Sequence, residues 1–339
     1  EKILLICAIT QIVFLDFKEY AVINCSVEIA KKLKLYPGLI NATLKKIAQN
    51  KNNLKKIKIN FNDLPIWFQN KTRYFSNYEK KQFLENFYKQ PNIHIVFKDE
   101  ERLKKFEDKL FKTSLVSGFL LDEKNFESKN SFVNGDWWVQ DFSSFLPLYN
   151  FEETNKNKVY LDACAAPGGK SFQLLSKKMN IVLNDKNKTR IKILKTNLKR
   201  LKLNAQILNE DFIKFTNKKK YDVIIIDAPC SAVGTIRRNP EIFFKNIGPN
   251  FNELLSLQVN MLEKASFLLN KNGYIIYMTC SFLKIETTDQ IQKFLKLNDN
   301  FQLSNFKLKE NKTNYSKLIK NDFMITIPNT IFDYNIDGY

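Results

Sequence analysis

Tyr221–Pro240 reads YDVIIIDAPCSAVGTIRRNP, and the architecture of the chain follows from it. Its apolar run, Val223–Ile226, ends abruptly at Asp227 in an Asp-Ala-Pro-Cys turn. Such a run between turn residues predicts a strand of a parallel sheet that is covered on both faces. Ligands of open α/β sheets bind beyond the carboxyl ends of the strands, which makes Asp227 and Cys230 candidate functional residues. An ordinary core strand with an Asp-Pro turn would look the same, and two further stretches separate the interpretations.

Strand and helix patterns alternate on both sides of this stretch. The predicted strands are 159–164, 181–185, 205–211 and 274–280, and the predicted helices begin at Ser171 or cover 188–203, 252–269 and 286–297. Strands that alternate with helices predict right-handed crossovers and a doubly wound, mostly parallel sheet of the α/β class. Segments 302–309 and 323–328 are expected to be the edge strands that complete this sheet.

The chain before this region divides by pattern. Residues 1–60 space their apolar residues at three and four, which predicts a helical domain, and residues 61–130 mix strands and helices, which predicts a small α+β subdomain. The region of alternating strands and helices is then expected to belong to a third domain over 131–339. In the strand near His94 we favour a structural role for the histidine. For Trp137 and Trp138 we favour core packing over base stacking, because strand positions alternate and only one of the two side chains can face outward.

The charge of the chain favours a polyanionic partner. Its formal net charge is +19, which indicates nucleic acid before membrane. The sequence is rich in Lys, Asn, Ile and Phe, and such a composition would raise the net charge of any protein from the same source. We therefore give the net charge of +19 little weight as evidence for a partner. Arginine is scarce, and Arg237 and Arg238 stand together after the Asp-Ala-Pro-Cys turn. Their planar, forked donors suit phosphate, so we expect Arg237 and Arg238 to contact a nucleic acid.

The cysteines indicate the compartment. The five cysteines include no CxxC pair, and with one histidine a structural zinc site is not expected, so we predict no metal. Free thiols indicate a reducing cytoplasm. The apolar run Ile3–Leu15 is too short to span a bilayer and lacks the features of a signal peptide.

A glycine turn follows the first predicted strand of the alternating region. Small residues and glycines let the backbone approach a ligand, and the amino terminus of the next helix offers free N–H groups. The turn matches neither GxGxxG nor the phosphate loop, which favours a cofactor other than a nucleoside triphosphate. The expected cofactor-binding residues are Cys164, Ala165, Ala166, Pro167, Gly168, Gly169 and Lys170.

Acids and thiols stand at successive strand ends. Asp185 follows the second strand, where a carboxylate accepts hydrogen bonds from ribose hydroxyls. Asp211 is placed to meet a base edge or the amino end of a cofactor. Single acids here would be read as helix caps, but with Asp227 they number three and favour a nucleoside-containing ligand. Cys230 and Cys280 both end strands of one sheet, which favours reactive thiols over structural ones.

These motifs together resemble RNA 5-methylcytosine methyltransferases of the Nol1/Nop2/Sun family. The matching segments are DACAAPGGKS, the strand before Asp185, DAPCSAVGTIRRNPE, and YMTCS followed after four intervening residues by Glu286. The resemblance implies a Rossmann-like class I methyltransferase fold, preceded by part of a NusB-like helical domain over 1–60. It also implies that helices before Glu1 and the end of the final strand are missing from this sequence.

The resemblance implies a role for each matching residue. Residues 164–170 would bind S-adenosylmethionine, Asp185 its ribose and Asp211 its adenine end. Cys280 would add to carbon 6 of a cytosine, Asp227 would hold the base, and Cys230 would assist proton loss and enzyme release. Lys170 would also line the pocket and contact the RNA together with Arg237 and Arg238, and Asp227 would contact the cofactor as well as the base. The target base must be single-stranded or flipped out, because pairing and stacking shield carbon 5.

The resemblance implies 16S ribosomal RNA of the small subunit as substrate, with transfer RNA as an alternative. A non-catalytic RNA-binding or assembly factor that keeps the fold is the alternative from another class. A scaffold need not keep both thiols and all three acids, which this chain has. Nothing in the sequence argues against a monomer.

Overall fold

A computed structural model describes residues 1–106, 109–121, 125–152, 154–216, 218–244, 248–304, 318–320, 322–331 and 333–339. These residues form two compact units, Glu1–Asp63 and Leu64–Tyr339. The further division at residue 130 stays a prediction. No helix among the described residues is long and apolar enough to cross a membrane.

The first unit is helical. Its helices are α1 (Lys2–Val13), α2 (Glu19–Lys32), α3 (Pro37–Gln49) and α4 (Lys51–Leu54). Apolar residues four apart, such as Ala8 and Ile12 or Ile40 and Leu44, lie on one face of their helix and are fully buried in a shared core. Pro37 occupies the first turn of α3, where its missing N–H costs no helical hydrogen bond.

The second unit begins with a small antiparallel sheet and short helices. The strands lie in the order β2–β3–β1–β4, and they are β1 (His94–Phe97), β2 (Leu110–Ser114), β3 (Ser117–Leu120) and β4 (Trp137–Val139). The helices around it are α5 (Ile66–Lys71), α6 (Asn77–Asn86), α7 (Glu100–Lys104) and α8 (Asn130–Val133).

Both tryptophans of β4 are buried. Trp137 is 0% exposed and packs in one apolar cluster with Phe97, whereas Trp138 is 3% exposed and packs in another with Phe172. The expectation of core packing is confirmed for both tryptophans, because separate clusters cover the two faces of β4. His94 is also buried, and its ring nitrogens lie 2.8 Å and 2.9 Å from Gln140 O and Thr113 Oγ1. Burial lowers the pKa of His94 to about 4.

The second sheet is the parallel one. Its order is β7–β6–β5–β8–β9, formed by β5 (Val159–Asp162), β6 (Asn180–Asn184), β7 (Gln206–Leu208), β8 (Tyr221–Asp227) and β9 (Leu269–Met278). All four pairings are parallel, as predicted. The helices of this region are α9 (Phe142–Asn150), α10 (Gly169–Ser176), α11 (Lys188–Leu201), α12 (Phe251–Leu268) and α13 (Thr288–Leu297).

Alternate residues of β8 point into two different cores. Val223 and Ile225 belong to the cluster that contains Leu194 of α11, and Ile224 and Ile226 to the cluster that contains Met261 of α12. All four side chains are 0% exposed. The apolar run of Val223–Ile226 is therefore continuous because helices cover both faces of the strand.

The strands after β9 do not extend this sheet. β10 (Ile319–Lys320) pairs only with β11 (Phe323–Met324), and β12 (Asn329–Ile331) pairs only with β13 (Tyr334–Ile336), among the residues that the structure describes. The expectation of an edge strand over 323–328 is therefore wrong. Of the other expected edge strand, residues 302–304 are not in a strand and 305–309 lie outside the described residues.

Candidate active site

The carboxyl ends of three neighbouring strands bring the candidate residues together. Strand order reverses beside β5, which pairs with β6 on one side and with β8 on the other. The register aligns Asp162 of β5 with Ile225 of β8, and Asp227 of β8 with Met278 of β9. The glycine turn, the Asp-Ala-Pro-Cys turn and the loop at Cys280 therefore start at the same edge of the sheet, where ligands of such sheets bind.

The glycine turn is held in a conformation that needs its glycine. Gly168 has φ of +118°, and a Cβ there would lie 2.0 Å from the ring of Phe172. Ala165 N donates to Asn184 O at 2.8 Å, and this bond ties the turn to the end of β6. Asn197 Nδ2 donates to Pro167 O at 3.1 Å from α11. Backbone is thus exposed at the amino terminus of α10 without side chains in the way.

Asp185 and Asp211 have local partners. Asp185 is 3% exposed, and its carboxylate accepts hydrogen bonds from Ala166 N at 3.2 Å and from Asn187 N at 2.8 Å. Each carboxylate oxygen has a second lone pair, so these bonds leave acceptor capacity for hydroxyl groups. Asp211 Oδ1 accepts from Ile213 N at 3.2 Å and caps a short helical turn. Asp185 thus lies against the glycine turn, whereas Asp211 lies at the end of the adjacent strand.

The structure brings the two thiols of the strand ends into contact. Cys230 Sγ and Cys280 Sγ are 3.3 Å apart, although the residues are fifty positions apart in the chain. The hydrogen bond from Cys230 lowers the pKa of Cys280. The same bond, together with burial, raises the pKa of Cys230. The contact therefore favours a thiolate on Cys280 and a protonated thiol on Cys230.

Asp227 lies beside this pair and is bound by two groups. Lys170 Nζ lies 2.7 Å from Asp227 Oδ2, and the Tyr339 hydroxyl donates to Asp227 Oδ1 at 2.9 Å. The ammonium of Lys170 also lies 5.2 Å from the centre of the Tyr339 ring. Burial acts to lower the pKa of Lys170, but the charge of Asp227 outweighs burial and the pKa lies above its usual value. Lys170 is therefore a cation under all ordinary conditions.

Arg237 and Arg238 have different surroundings. Arg238 forms an ion pair with the buried carboxylate of Asp337. Arg237 is 8% exposed and donates from Nη2 to Asn329 O at 2.8 Å. Burial lowers the pKa of Arg237 to about 10, and burial raises that of Asp337 to about 6. Contact of either arginine with RNA stays a prediction.

A cavity of about 250 Å³ opens at this edge of the sheet. Residues of all three loops line it, together with Gln140 and Asp141 from the start of α9 and Asp337–Tyr339 from the chain end. The predicted site residues that line it are Cys164, Ala165, Ala166, Pro167, Gly168, Gly169, Lys170, Asp227, Arg238 and Cys280. The predicted residues Asp185, Asp211, Cys230 and Arg237 lie outside that lining.

Sequence patterns did not single out three residues of this region. Asp162 is buried, accepts from Ser171 Oγ at 2.6 Å, and has its pKa raised by burial to about 6. Tyr339 binds Asp227 from more than one hundred positions away. Glu286 is buried beside both thiol-bearing loops. Asp162 carried a signal because it ends a predicted strand as Asp227 does, and Glu286 carried one because it belongs to the segment that resembles the family. No sequence pattern marked Tyr339.

Two glycines let the chain end approach the thiol loops. A Cβ on Gly234 would lie 2.0 Å from Gly338 O and 2.9 Å from Cys280 O. Gly338 N donates to Gly234 O at 2.8 Å, and Gly234 N donates to Cys280 O at 3.0 Å. Backbone atoms from three segments therefore meet without side chains, which places Tyr339 over Asp227.

Comparison with known families agrees with this geometry. Residues 150–332, more than half of the chain, match the family described as 16S rRNA methyltransferase RsmB/F. The chain belongs to the RsmB/F family. Residues 1–49 match the NusB family, as the resemblance implied.

A curated relative of this chain supports its membership of the RsmB/F family. The ribosomal RNA small subunit methyltransferase B of Serratia proteamaculans is 35% identical over 170 residues, which cover 49% of this chain and 39% of that protein. The matched part thus spans well under half the length of this curated relative.

Solved structures share the RsmB/F chain's fold. The crystal structure of PH0851 has a TM-score of 0.70 at 22% identity and covers 88% of this chain and 73% of its own. NSun6 from Pyrococcus horikoshii, solved with SFG, has a TM-score of 0.62 at 16% identity and covers 71% and 88%. The predicted α/β class and the methyltransferase fold are confirmed.

Proposed function

We propose that this chain transfers a methyl group from S-adenosylmethionine to carbon 5 of a cytosine in 16S ribosomal RNA. The reaction proceeds through a covalent bond between Cys280 Sγ and carbon 6 of the base. Membership of the RsmB/F family supports the reaction class and the ribosomal substrate. The protein acts as a monomer in the cytoplasm, where its free cysteines stay reduced.

The observation that carries this proposal is the contact between two thiols, one of which, that of Cys280, lines the cavity together with Asp227. A buried structural cysteine does not need a second thiol 3.3 Å away, and a pair of this kind outside a disulfide suits covalent catalysis. Cys280 lines the cavity and has the lowered pKa, whereas Cys230 lies behind it with a raised pKa. Cys280 is therefore the nucleophile and Cys230 the proton-carrying partner.

The residues around the glycine turn fit S-adenosylmethionine. The turn leaves its backbone open to the cavity, because Gly168 adopts a positive φ and the nearest group to a Cβ on Gly169 is Gln140 at 3.5 Å. Asp185 and Asp211 follow the next two strands and would hold the ribose and the adenine end. When bound, the cofactor supplies an electrophilic methyl group on a sulfonium.

Each step assigns a task to the chain's own residues. Cys280 thiolate forms a bond to carbon 6, and the electron pair moves to carbon 5, which then takes the methyl group. Asp227 accepts a hydrogen bond from the exocyclic amine and stabilises the adduct at nitrogen 3, while Lys170 holds Asp227 in place. Carbon 5 then loses its proton to a water molecule, the electron pair of that bond forms the double bond to carbon 6, and the bond to Cys280 breaks to regenerate the thiolate. Cys230 assists this release by donating its S–H to the departing sulfur.

The basic groups around the cavity suit the RNA backbone. The net charge of +19 favours binding of a polyanion, and Arg238 lines the cavity that the base would enter. The side chain of Lys170 is 13% exposed and paired with Asp227, whereas that of Arg238 is paired with Asp337 but 46% exposed. Phosphate contacts therefore fall to Arg238 and to lysines outside the cavity. Arg237 is buried and donates to Asn329 O.

The direct test is adduct trapping with RNA and a labelled methyl donor. Cys230→Ala should accumulate a covalent RNA–protein complex, because the adduct forms but is not released. Cys280→Ala should form no complex and no methylated product. Retention of turnover in Cys280→Ala, or absence of an adduct in Cys230→Ala, would contradict these assignments. Bisulfite sequencing of cells with and without the protein identifies the cytosine and separates ribosomal from transfer RNA.

A further inference from the structure

Glu286 is a buried carboxylate that the proposed chemistry does not use. It ends the short helical turn Lys284–Glu286 before α13 and is 0% exposed. No ion pair joins it to a lysine or arginine among the residues that the structure describes. A buried carboxylate without a cation is costly unless several hydrogen bonds satisfy it. Its position therefore needs a reason.

The partners of Glu286 come from both thiol-bearing loops. Ser231 donates to it from its backbone N at 2.8 Å and from its hydroxyl, and Ser281 donates from Oγ at 2.6 Å. Ser231 directly follows Cys230, and Ser281 directly follows Cys280. Gln258 Nε2 of α12 completes the set at 3.3 Å and also binds Pro229 O at 3.0 Å.

We propose that Glu286 is a positioning residue that holds Cys230 and Cys280 together as a working pair by binding the serine after each of them. One side chain thereby joins the turns that follow β8 and β9. The two strands pair only as far as Asp227 and Met278, so the sheet itself does not fix the loops beyond. The inference rests on the proposed methyl transfer for its catalytic meaning, but the geometry it describes is independent of that reaction.

The charge of Glu286 also favours the different protonation states of Cys230 and Cys280. The hydrogen bond to Cys280 and burial raise the pKa of Cys230 most, and the negative charge of Glu286 raises it further. The hydroxyl of Tyr277 donates to the backbone oxygen of Glu286 at 2.8 Å. On the other side, Lys170 and Asp227 face Cys280. A negative charge on the Cys230 side keeps that thiol protonated, so that it donates to Cys280.

A thiol-oxidation assay tests the positioning without reference to methyl transfer. Diamide takes two hydrogens from a pair of thiols and leaves a disulfide, and the Cys230–Cys280 product is counted by mass spectrometry of the digested protein. Glu286→Gln keeps the length of the side chain but replaces one carboxylate oxygen by an NH₂ group. That group donates hydrogen bonds, so it cannot accept from the hydroxyls of Ser231 and Ser281 as the carboxylate does. We expect the rate of this disulfide to fall about tenfold, because a shift of about 1 Å strongly affects reactions between fixed groups.

The same variant tests the catalytic consequence. In Glu286→Gln we expect kcat for methyl transfer to fall about 10- to 100-fold, with the KM for RNA and the Kd for S-adenosylmethionine within about twofold of the unmodified chain. Asp289→Asn removes the same charge from an exposed position three residues away and should change none of these quantities. A merely structural role would lower the melting temperature but leave the disulfide rate of the folded protein unchanged.

The outcomes separate the two proposals. A slower disulfide in Glu286→Gln supports positioning even if the unmodified chain methylates no RNA, in which case only the proposed function fails. A disulfide rate and kcat both within about twofold of the unmodified chain would overturn the inference. If Glu286→Gln does not fold, Ser281→Ala removes one arm of the network and is expected to slow the disulfide about threefold, while an unchanged rate would count against positioning.

Discussion

The two sides of the thiol pair are built in opposite ways. On the cavity side, Cys280 lies near Asp227, whose charge is matched by Lys170 at 2.7 Å. On the inner side, Cys230 lies near Glu286, whose partners among the described residues are neutral donors of Ser231, Ser281 and Gln258. The cavity side thus carries paired charges that a ligand can share, whereas the inner side carries a closed hydrogen-bond network.

This difference indicates separate tasks for two carboxylates that look alike in sequence. An ion pair beside a cavity can exchange partners when a polar ligand enters, because each ion keeps access to water or substrate. A buried carboxylate with all its partners in place resists displacement, because each lost bond leaves an unsatisfied group. The cavity side should therefore control the reaction, and the inner side should control how well the loops are held.

Replacement of Lys170 tests the cavity side and should have the largest effect. In Lys170→Met the charge of Asp227 loses its cation, and we expect kcat for methyl transfer to fall about 10²- to 10³-fold, the cost typical of removing a preorganised electrostatic group. Lys192→Met, an exposed lysine on α11, should leave kcat unchanged. Steady-state kinetics with labelled methyl donor measures both, and equal rates for the two variants would remove the contrast between the sides.

The pH dependence of stability tests a cavity-side carboxylate that has no cation bound to it. Burial raises the pKa of Asp162 from 3.8 to about 6, so the folded protein keeps this proton between about pH 4 and pH 6 while the unfolded chain releases it. Stability from this group is therefore fully present below about pH 4 and is lost as pH rises to about 6. The loss amounts to about 3 kcal/mol.

Asp162→Asn removes this titration. The difference in unfolding free energy between the variant and the unmodified chain should change by about 3 kcal/mol, in favour of the variant, between about pH 4 and pH 7. Urea unfolding at a series of pH values measures it. His94 and Asp337 titrate in both proteins and cancel in the difference. Parallel curves would mean that Asp162 ionises normally in the folded state.

Loss of Gln258 tests the inner side and should have the smallest effect. Gln258→Leu removes the bonds to Pro229 O and Glu286 and leaves Gln290 Nε2 without its 3.1 Å acceptor on Gln258. We expect the unfolding free energy to fall by about 2 kcal/mol, because several buried polar groups lose a partner. Gln292→Leu makes the same change at an exposed position of α13 and should be neutral within about 0.5 kcal/mol. Equal unfolding midpoints would argue that the inner network does not hold the loops.

The features predicted correctly from the sequence are those that a short, local sequence pattern encodes. The run Val223–Ile226, the glycine turn and the periodicity of α11 each carry their structure within a short window, and the parallel sheet follows from their alternation. The shared location of Cys230 and Cys280 also followed, because parallel strand ends meet at one edge. Their 3.3 Å contact did not, because side-chain orientation depends on packing between segments.

The remaining features depend on contacts between distant segments. Tyr339 reaches Asp227 only because the chain end packs beside the thiol loops, and no periodic pattern encodes that approach. The wrong assignment of 323–328 has a similar cause, since short strands satisfy their backbone in a hairpin as well as at a sheet edge. Both tryptophans of β4 are buried because two apolar clusters flank a strand of three residues, which alternation alone does not reveal.

The close approach of Gly234 and Gly338 has an evolutionary consequence. A side chain at either position must push the two backbone segments apart. Both positions therefore exclude larger residues for the same reason, and because each is already glycine, no substitution at one can compensate for a larger residue at the other. Selection against larger residues at Gly234 and Gly338 therefore also preserves the position of Tyr339. In a saturation mutagenesis library selected for activity of the enzyme, all residues other than glycine should be depleted at both positions.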